Sequence, residues 1–407
     1  MRAMRTITLA LLATFLSPVA AAGPADPPAT IRIATYNVSM FREHEGELRQ
    51  ELSGSGEKQA QLAASVLQEL RPDIVLLNEF DWDAEGGSAR LFRDRYLAVG
   101  QDGRRPLDYP YLYVPETNTG VPSGQDLDGN GEVVSVPGSR AYGGDAFGFG
   151  EFPGQYGFVI LSRYPIDYGH IRTFRLLHWK DLPGAAIPQD FYSPAAIDVL
   201  RLSSKNHVDV PVQVGDRVIH VLASHPTPPT FDGPDDHNGA RNADEIRFWS
   251  LYLGKDDDWL ADDHGHRGGL GDASFVILGD LNSDPNDGDS RHAAISELLA
   301  NPRLQGTSPP TSPGAAEQSR LTGGRNTLHA GDPSQDTADF DDRTVGNLRI
   351  DYVLPSIDLP VVASGVFWPL QSDPNFSLVG TYPFPVSDHR LVWVDVRLTA
   401  PDEDAAK

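Results

Sequence analysis

The sequence of 407 residues contains no cysteine, and its 57 acidic residues outnumber its 33 lysines and arginines. Without cysteine the chain cannot form a disulfide or carry a lipid on a thiol, so the fold has to rest on core packing and on any bound ions. The formal net charge of −24 repels nucleic acids and anionic membranes at long range. We therefore expect no stable nucleic-acid complex, although bound metal ions can reverse the local charge and admit a phosphate ester.

Long hydrophobic runs are also missing, because no apolar stretch reaches the ~20 residues that span a bilayer. Residues 7–16 form a shorter apolar run between two early arginines and a string of small residues. Ala20 and Ala22 fit a small-x-small cleavage signal, so residues 1–22 are interpreted as a secretory signal peptide, with a membrane anchor as the alternative. The mature protein is then expected to be secreted or periplasmic and to lack a transmembrane segment.

The remaining chain is predicted to form one domain. Residues 23–30, rich in proline and alanine, are predicted to be a flexible lead, and residues 401–407 a polar tail. Between them, residues 31–400 show neither an internal repeat nor a break that demands a second domain. Within this domain, residues 100–155 hold many Gly, Pro, Asp and Asn residues and little periodicity, which indicates a long surface insertion.

Apolar runs and alternation at period two predict the strands 31–37, 74–77, 158–161, 218–223, 275–278, 348–354 and 390–397. Apolar residues that recur on one face predict helices at 57–70, 244–253 and 294–299. Residues 302–346 are rich in Ser, Pro, Gly and Asp and are predicted to be loop. Strands that alternate with helices in this way are typical of α/β proteins.

Polar side chains that suit metal and phosphate chemistry stand at the ends of these strands. They are Glu79, His225, Asp280, Asn282, Asp351, Asp388 and His389. Carboxylates such as Glu79 and Asp388 are hard oxygen ligands for Mg²⁺, Mn²⁺ or Ca²⁺, and an aspartate such as Asp280 can orient or deprotonate a water molecule. Each residue alone is more often an ordinary strand-end residue, so the prediction of an active site on the sheet rests on their joint occurrence.

Six short segments carry a resemblance to a known family. They are residues 34–38 (ATYNV), 77–79 (LNE), 224–226 (SHP), 279–285 (GDLNSDP), 349–353 (RIDYV) and 387–389 (SDH). In this order they resemble the endonuclease/exonuclease/phosphatase superfamily, which includes deoxyribonuclease I, abasic-site endonucleases, neutral sphingomyelinases and inositol-phosphate 5-phosphatases. The resemblance extends from about Ile31 to Arg397. It implies an α/β fold built as a four-layer sandwich, with two mixed β-sheets face to face and helices outside.

The resemblance also implies a role for each matching residue. The implied catalytic residues are Asn37, His225, Asp280, Asn282, Asp351 and His389, and the implied ligands of a Mg²⁺, Mn²⁺ or Ca²⁺ ion are Asn37, Glu79 and Asp388. Asp280 matches the aspartate that activates water, and Asn282 matches its companion. Asp351 matches the residue that orients His389, the histidine that contacts the phosphate. His225 resembles the second histidine of the nuclease and sphingomyelinase branches.

Several positions stay open at the level of the sequence. Relatives in the deoxyribonuclease branch pair the first histidine with a glutamate, and both Glu116 and Glu151 are candidates to pair with His225. Tyr156 and Arg163 are expected to bind the substrate phosphate, with turn stabilisation as the alternative for both.

One segment of the insertion resembles a calcium-binding loop. Asp126, Asp128 and Asn130 have the spacing of its first ligands, but the twelfth position is Pro137 instead of the required glutamate. Both a structural calcium ion and a simple Asx/Gly turn therefore remain open.

The sequence as a whole predicts a secreted, divalent-metal-dependent phosphoesterase that hydrolyses a phosphate mono- or diester by metal-assisted attack of water. The substrate is expected to be a small molecule, a lipid head group or a nucleic acid, and the acidic charge favours the first two. The alternatives are an extracellular nuclease that cleaves DNA or RNA and a catalytically dead binding module on the same scaffold. The second is disfavoured because every residue of the implied catalytic set is present.

Overall fold

A computed structural model describes residues 29–54, 56–255, 257–306 and 308–398 of the chain. The predicted signal peptide, most of the predicted lead and the predicted tail lie outside these described residues. Across the described ranges, no helix is both long enough and apolar enough to cross a membrane.

The strands and helices alternate along the chain and are numbered in chain order. The strands are β1 Thr30–Met40, β2 Ile74–Phe80, β3 Tyr111–Tyr113, β4 Phe158–Ser162, β5 Arg172–Thr173, β6 His207–Val214, β7 Arg217–Ser224, β8 Phe275–Asp280, β9 Ala338–Asp339, β10 Asn347–Leu348, β11 Asp351–Pro355, β12 Val361–Val366 and β13 Val392–Arg397. The α-helices are α1 Glu47–Leu52, α2 Lys58–Leu70, α3 Gly87–Phe92, α4 Arg140–Gly144, α5 Pro194–Val199, α6 His237–Tyr252, α7 His292–Leu299, α8 Pro313–Thr322 and α9 Phe376–Val379.

Most of the strands form two mixed sheets. The first has the order β12-β13-β1-β2-β4-β3, and the second has the order β11-β8-β7-β6-β5. The β1–β2 and β7–β8 pairs are parallel, whereas the other strand pairs in these sheets are antiparallel. β9 and β10 form a separate two-stranded ribbon. Each sheet therefore has a parallel pair at its centre, and the ends of these central strands carry the predicted polar residues.

The two sheets pack face to face, and the apolar layer between them is the central core. The first sheet contributes Ile33, Leu76 and Ile160 to this layer, and the second contributes Val210 and Val221. Burial of such side chains contributes about 1.5–3 kcal/mol each. Without disulfides to stabilise the fold, this layer is a main source of its stability.

Helices cover the outer face of each sheet. Leu67 of α2 packs with Leu77 on the first sheet, and Trp249 of α6 packs with Ile295 of α7 over the second. The α2 helix ends at Arg71, which adopts a left-handed conformation just before a proline. The protein is a four-layer α/β sandwich of two mixed sheets flanked by helices, which confirms the predicted fold class.

The structure corrects several of the predicted elements. α6 begins at His237 and not at residue 244, because its first turns bury polar side chains that hide the apolar period. Arg241 and Asn242 are buried there and donate hydrogen bonds to main-chain carbonyl groups. The predicted loop at 302–346 contains α8, which starts with the N-cap Ser312 followed by a proline.

The predicted insertion at 100–155 holds β3 and α4 and otherwise follows an irregular path. Hydrogen bonds from side chains to the backbone fix this path. The buried Asn118 donates from its side chain to the carbonyl groups of Arg175 and Ser203, and the buried Asp145 accepts from the amide groups of Leu127 and Val134. This segment therefore has a defined conformation beside the cavity described below.

Candidate active site

The ends of the central strands of both sheets meet at one edge of the sandwich. Asn37 lies in β1 and Glu79 in β2, while Asp280 is the last residue of β8. His225 follows β7, the parallel neighbour of β8. Asp351 starts β11 and lies opposite Asp280 in the strand pairing. Residues that are far apart in the sequence therefore meet because the sheet order brings their strands together.

These strand ends form the floor of a cavity of about 1320 Å³. Several of its lining residues have a left-handed backbone although they are not glycine. They are Ser39 (φ 47°), Glu79 (φ 55°), Tyr156 (φ 58°), Phe231 (φ 66°) and Asn282 (φ 51°). Each such conformation costs of order 1–3 kcal/mol, and such strain concentrates at functional sites. The backbone of the cavity is thus held in place by its surroundings.

The carboxylate of Asp280 is the centre of the arrangement. Its Oδ2 accepts a hydrogen bond of 3.1 Å from the side-chain amide of Asn37. The same oxygen lies 3.4 Å from Nε2 of His225 and 3.7 Å from Nε2 of His389. Two imidazoles and one amide therefore converge on a single buried oxygen from both sheets.

His389 is oriented by a second carboxylate behind it. Its Nδ1 lies 2.9 Å from Oδ2 of Asp351, and the same oxygen accepts a hydrogen bond of 2.8 Å from the hydroxyl of Thr337. Both residues are buried. This chain of contacts fixes the ring so that Nε2 faces Asp280 and the cavity.

Asn282 is positioned by the segment that carries His225. Its side-chain amide donates a hydrogen bond of 3.1 Å to the carbonyl group of Pro226. Its backbone amide donates to Oδ1 of Asp280 at 2.9 Å. The loop after β8 and the loop after β7 are thereby locked to each other at the cavity floor.

The two histidines differ in charge. Burial lowers the pKa of His389, but the carboxylates of Asp351 and Asp280 outweigh that effect and hold its pKa well above the usual range. Burial lowers the pKa of His225 well below the usual range, and the nearby charges of Lys205 and His389 lower it further. The site therefore pairs the imidazole of His389, which favours the protonated form, with that of His225, which favours the neutral form. This pairing suits a site in which one histidine acts as a cation and the other only forms hydrogen bonds.

The pKa values of two acidic residues at the site are raised. Burial raises the pKa of Asp280, although His389 counteracts this effect. Burial likewise raises the pKa of Glu79, again against the attraction of His389. Carboxylates that are buried close together favour either protonation or a bound cation.

The donor set fits a divalent cation. Glu79, His225 and Asp280 each offer a ligand atom, and these atoms lie within 4.8 Å of one another; the same holds for Asp280, Asp351 and His389. Oδ1 of Asp351 is buried without a hydrogen-bond partner among the described residues. Carboxylate oxygens at such distances suit Mg²⁺, Mn²⁺ or Ca²⁺.

Two of the predicted ligands also lie at this site. Asn37 contacts Asp280, as described above. Asp388 lines the cavity, and its Oδ1 lies 3.4 Å from each of the hydroxyls of Ser39 and Ser387. The structure therefore brings all the predicted catalytic residues and metal ligands to one place.

The two residues expected to bind the substrate differ in position. Tyr156 lines the cavity, and its ring packs against Phe41 with centroids 4.6 Å apart. Arg163 does not line the cavity; it forms an ion pair of 2.7 Å with Asp73. Since Arg163 follows the far end of β4, it is remote from Glu79, and this corrects its expected role as a substrate ligand.

Neither candidate glutamate pairs with His225. Glu116 forms an ion pair of 2.5 Å with Arg175, and Glu151 has no contact with a histidine among the described residues. Nδ1 of His225 is buried and has no hydrogen-bond partner in the described part of the chain.

The segment that resembles a calcium loop has a third carboxylate that its spacing does not reveal. Asp126, Asp128 and Asp145 place ligand atoms within 4.8 Å of one another. The carboxylate of Asp126 accepts hydrogen bonds from the amide groups of Asn130 and Gly131. These contacts form an Asx turn without an ion, so the two sequence-based alternatives for this loop remain.

Sequence reasoning missed two residues at the site. Thr337 lies in the predicted loop 302–346 and reaches Asp351 only through the fold. Lys205 lies just before β6 and lines the cavity, although it is only 6 % exposed. Lys205 stands in a short polar segment before the alternating valines of β6, and no local signal marks either Lys205 or Thr337.

Comparison with known proteins agrees with this geometry. Residues 34–389 match the sequence profile of the Endonuclease/Exonuclease/phosphatase family. The chain belongs to this family. Members of the endonuclease/exonuclease/phosphatase family are phosphoester hydrolases that use divalent metals. No curated protein sequence matches the chain at a significant level.

A solved structure of the family shares the fold, and two others show a weaker similarity. The chain is similar to an endonuclease/exonuclease/phosphatase from Beutenbergia cavernae, with 20% identity, a TM-score of 0.50, and coverage of 92% of this chain and 72% of that one. It is also similar to sphingomyelinase C from Streptomyces griseocarneus (15% identity, 90% and 99% coverage, TM-score 0.44). TDP2 from Caenorhabditis elegans is a further neighbour (13% identity, 91% and 74% coverage, TM-score 0.39).

Proposed function

We propose that this chain is a secreted phosphoesterase that hydrolyses a small or lipid-derived phosphate ester with the aid of Mg²⁺, Mn²⁺ or Ca²⁺. The observation that supports this most is the convergence of Asn37, His225 and His389 on Oδ2 of Asp280. A carboxylate among hydrogen-bonding groups in a cavity is the arrangement that activates water for attack on phosphorus.

In this proposal each side chain has a separate task. Asp280 orients the attacking water and takes its proton, and its raised pKa makes it a more effective base near neutral pH. The protonated His389 donates to a phosphoryl oxygen and stabilises the charge that develops there. The neutral His225 and Asn282 donate or accept hydrogen bonds without adding charge. A divalent cation held by Glu79, with Asp388 nearby, would supply electrostatic stabilisation of the phosphate.

The charge of the protein supports a small or lipid-derived substrate. A chain with a net charge of −24 repels polymeric DNA and RNA, and a small ester needs no extended basic groove. Apolar residues such as Phe149, which is 40 % exposed, and Phe231, which is 80 % exposed, line the cavity. They offer contact to the apolar part of an ester.

A substrate panel tests the proposal. The panel would hold bis-p-nitrophenyl phosphate, p-nitrophenyl phosphate, sphingomyelin, inositol phosphates, plasmid DNA and RNA, each with Mg²⁺, Mn²⁺ or Ca²⁺ and with a chelator. The expected result is metal-dependent cleavage of small or lipid esters only. Cleavage of DNA or RNA at comparable rates would replace this substrate class with an extracellular nuclease, and binding without turnover of any ester would support the binding module.

Secretion has a test of its own. If residues 1–22 are a cleaved signal peptide, the protein recovered outside the cytoplasm starts at Gly23. N-terminal sequencing of that protein would reveal this start. Recovery of the intact N-terminus in a membrane fraction would favour the membrane anchor.

A further inference from the structure

The side-chain amino group of Lys205 is buried and has almost no partner of its own. The residue is 6 % exposed and lines the cavity. The one hydrogen bond that its amino group makes to the residues the structure describes goes to the carbonyl group of Pro226 at 3.5 Å. Among the described residues, no carboxylate oxygen lies within the 4.0 Å that defines an ion pair with its Nζ. A buried charge that is so poorly compensated is costly unless another group completes its contacts.

The nearby acidic groups are already engaged. Glu245 is buried, and its two oxygens accept hydrogen bonds from the amide groups of Ser204 and Thr227. Glu79 and Asp280 attract Lys205 through space, but they belong to the metal and water site. Some N–H donors of the amino group therefore have no acceptor among the described residues.

The position of Lys205 is fixed by its backbone. Its carbonyl group accepts a hydrogen bond of 2.9 Å from the amide group of Asn118. The next residue, Asn206, donates from its side chain to the carbonyl group of Glu116 at 2.9 Å. The backbone that carries Lys205 is therefore fixed, and burial of the side chain restricts its rotamers before a ligand binds, which lowers the entropy cost of binding.

Lys205 lies beside two residues of the catalytic set. The carbonyl oxygen of Pro226 accepts both from Nζ of Lys205 and from the side-chain amide of Asn282 at 3.1 Å. That proline directly follows His225. The ammonium group, the amide and the imidazole thus surround one small region of the cavity floor.

We propose that Lys205 is a further substrate-binding residue, which donates hydrogen bonds to an anionic oxygen of the phosphoryl group next to Asn282. This inference rests on the proposed function, because it assigns a contact to the same substrate. The ligand class is a phosphoryl or similar tetrahedral oxyanion, for which an ammonium group acts as a point charge.

Three variants test the inference, namely Lys205→Met, Lys205→Arg and the control Lys180→Met. Methionine keeps the length of the side chain and removes its charge, whereas arginine keeps the charge. Lys180 pairs with Asp198 on the surface and does not line the cavity. For each protein, the dissociation constant of inorganic phosphate is measured by calorimetry with Mg²⁺ present. The thermal midpoint is measured with and without phosphate, and kcat and KM are measured on bis-p-nitrophenyl phosphate.

The expected result is a roughly 10- to 100-fold weaker phosphate affinity and a similar loss of kcat/KM in Lys205→Met, since that is the range for a hydrogen bond to a charged group. Lys205→Arg recovers part of this loss, and Lys180→Met behaves like the wild type. The thermal midpoint of Lys205→Met without phosphate stays at or above that of the wild type, because a poorly paired buried charge has been removed.

Wild-type phosphate affinity in a folded Lys205→Met would overturn the inference. A lowered midpoint with an unchanged phosphate-induced shift would also overturn it, because it would assign Lys205 a structural role. If Lys205→Met does not fold, the KM of Lys205→Arg tests the inference instead. A changed KM would support a contact with the substrate, because arginine alters the geometry of that contact. An unchanged KM would overturn the inference, because it is expected if the positive charge is only structural. Phosphate binding is measured without turnover, so a wild type that hydrolyses no ester would refute the proposed function and leave the test of Lys205 valid.

Discussion

The contact between Asp351 and His389 supports a quantitative prediction. In Asp351→Asn the side chain keeps its shape but loses the charge that lies 2.9 Å from Nδ1 of His389. That charge is a main reason why the pKa of His389 is raised against the effect of burial. The variant is therefore expected to lose both the protonated state and the fixed orientation of the ring.

The magnitude follows from the role of His389. The contact is buried, with Asp351 at 2 % and His389 at 5 % exposure, so solvent does not screen it. Loss of one positioned donor to a developing oxyanion costs about 10²–10³-fold in kcat, and we expect Asp351→Asn to lose kcat in that range. Thr337→Val removes the hydrogen bond to the same charged carboxylate, about 1.5 kcal/mol, and the two bonds that the hydroxyl accepts from the backbone amides of Ile350 and Asp351. Because the variant leaves the charge of Asp351 in place, it is expected to reduce kcat only about tenfold.

The assay is steady-state hydrolysis of bis-p-nitrophenyl phosphate with Mg²⁺, combined with circular dichroism to establish that each variant is folded. Thr327→Val is the matched control, because Thr327 is exposed and, within the described part of the chain, its hydroxyl bonds only to the carbonyl group of Gly324. A folded Asp351→Asn that keeps more than a tenth of the wild-type kcat would refute the reasoning, as would a larger loss in Thr337→Val than in Asp351→Asn.

Two further predictions concern the metal and the stability of the fold. Excess chelator should abolish hydrolysis, and added Mg²⁺ or Mn²⁺ should restore it, because the half-buried Glu79 and the buried Asp280 and His225 place ligand atoms close together; full activity in chelator would contradict the metal site. Burial lowers the pKa of His207 to about 4, below its value in the unfolded chain, so its contribution to stability is present above about pH 6.5 and is lost as the pH falls toward 4. Urea unfolding should show that the wild type loses about 3 kcal/mol more than His207→Gln between pH 7 and pH 4, and a difference that does not vary with pH would disprove this.

The strands that carry the site can be predicted from the sequence because burial on both faces requires continuous apolar runs. Such runs precede Glu79 and Asp280, and the structure places both residues at the strand ends. The prediction omits β6, although its valines alternate strictly at positions 208, 210, 212 and 214. Pro211 argues against a central strand, and the buried Asp209 is tolerated only because His220 and Tyr252 bond to it.

The remaining features of the site depend on contacts between distant segments. Thr337 reaches Asp351 from an irregular segment, and its role depends on a fold that local patterns do not encode. Arg163 follows an apolar strand, as Glu79 and Asp280 do, but it stands at the end of β4 that faces away from Glu79. The sequence does not show whether the end of an apolar strand lies at the cavity or at the opposite edge of the sheet, because this depends on the strand pairing. The expectation for Arg163 was wrong for this reason.

The central claim is that Asp280 activates water for the hydrolysis of a phosphoester. It is tested most directly by comparing the wild type, Asp280→Asn and the control Asp272→Asn, whose aspartate is exposed and does not line the cavity, on bis-p-nitrophenyl phosphate with Mg²⁺ or Mn²⁺. We predict that the wild type and Asp272→Asn turn over equally well, and that folded Asp280→Asn loses about 10²–10⁴-fold in kcat. An Asp280→Asn protein within tenfold of the wild type would contradict the claim.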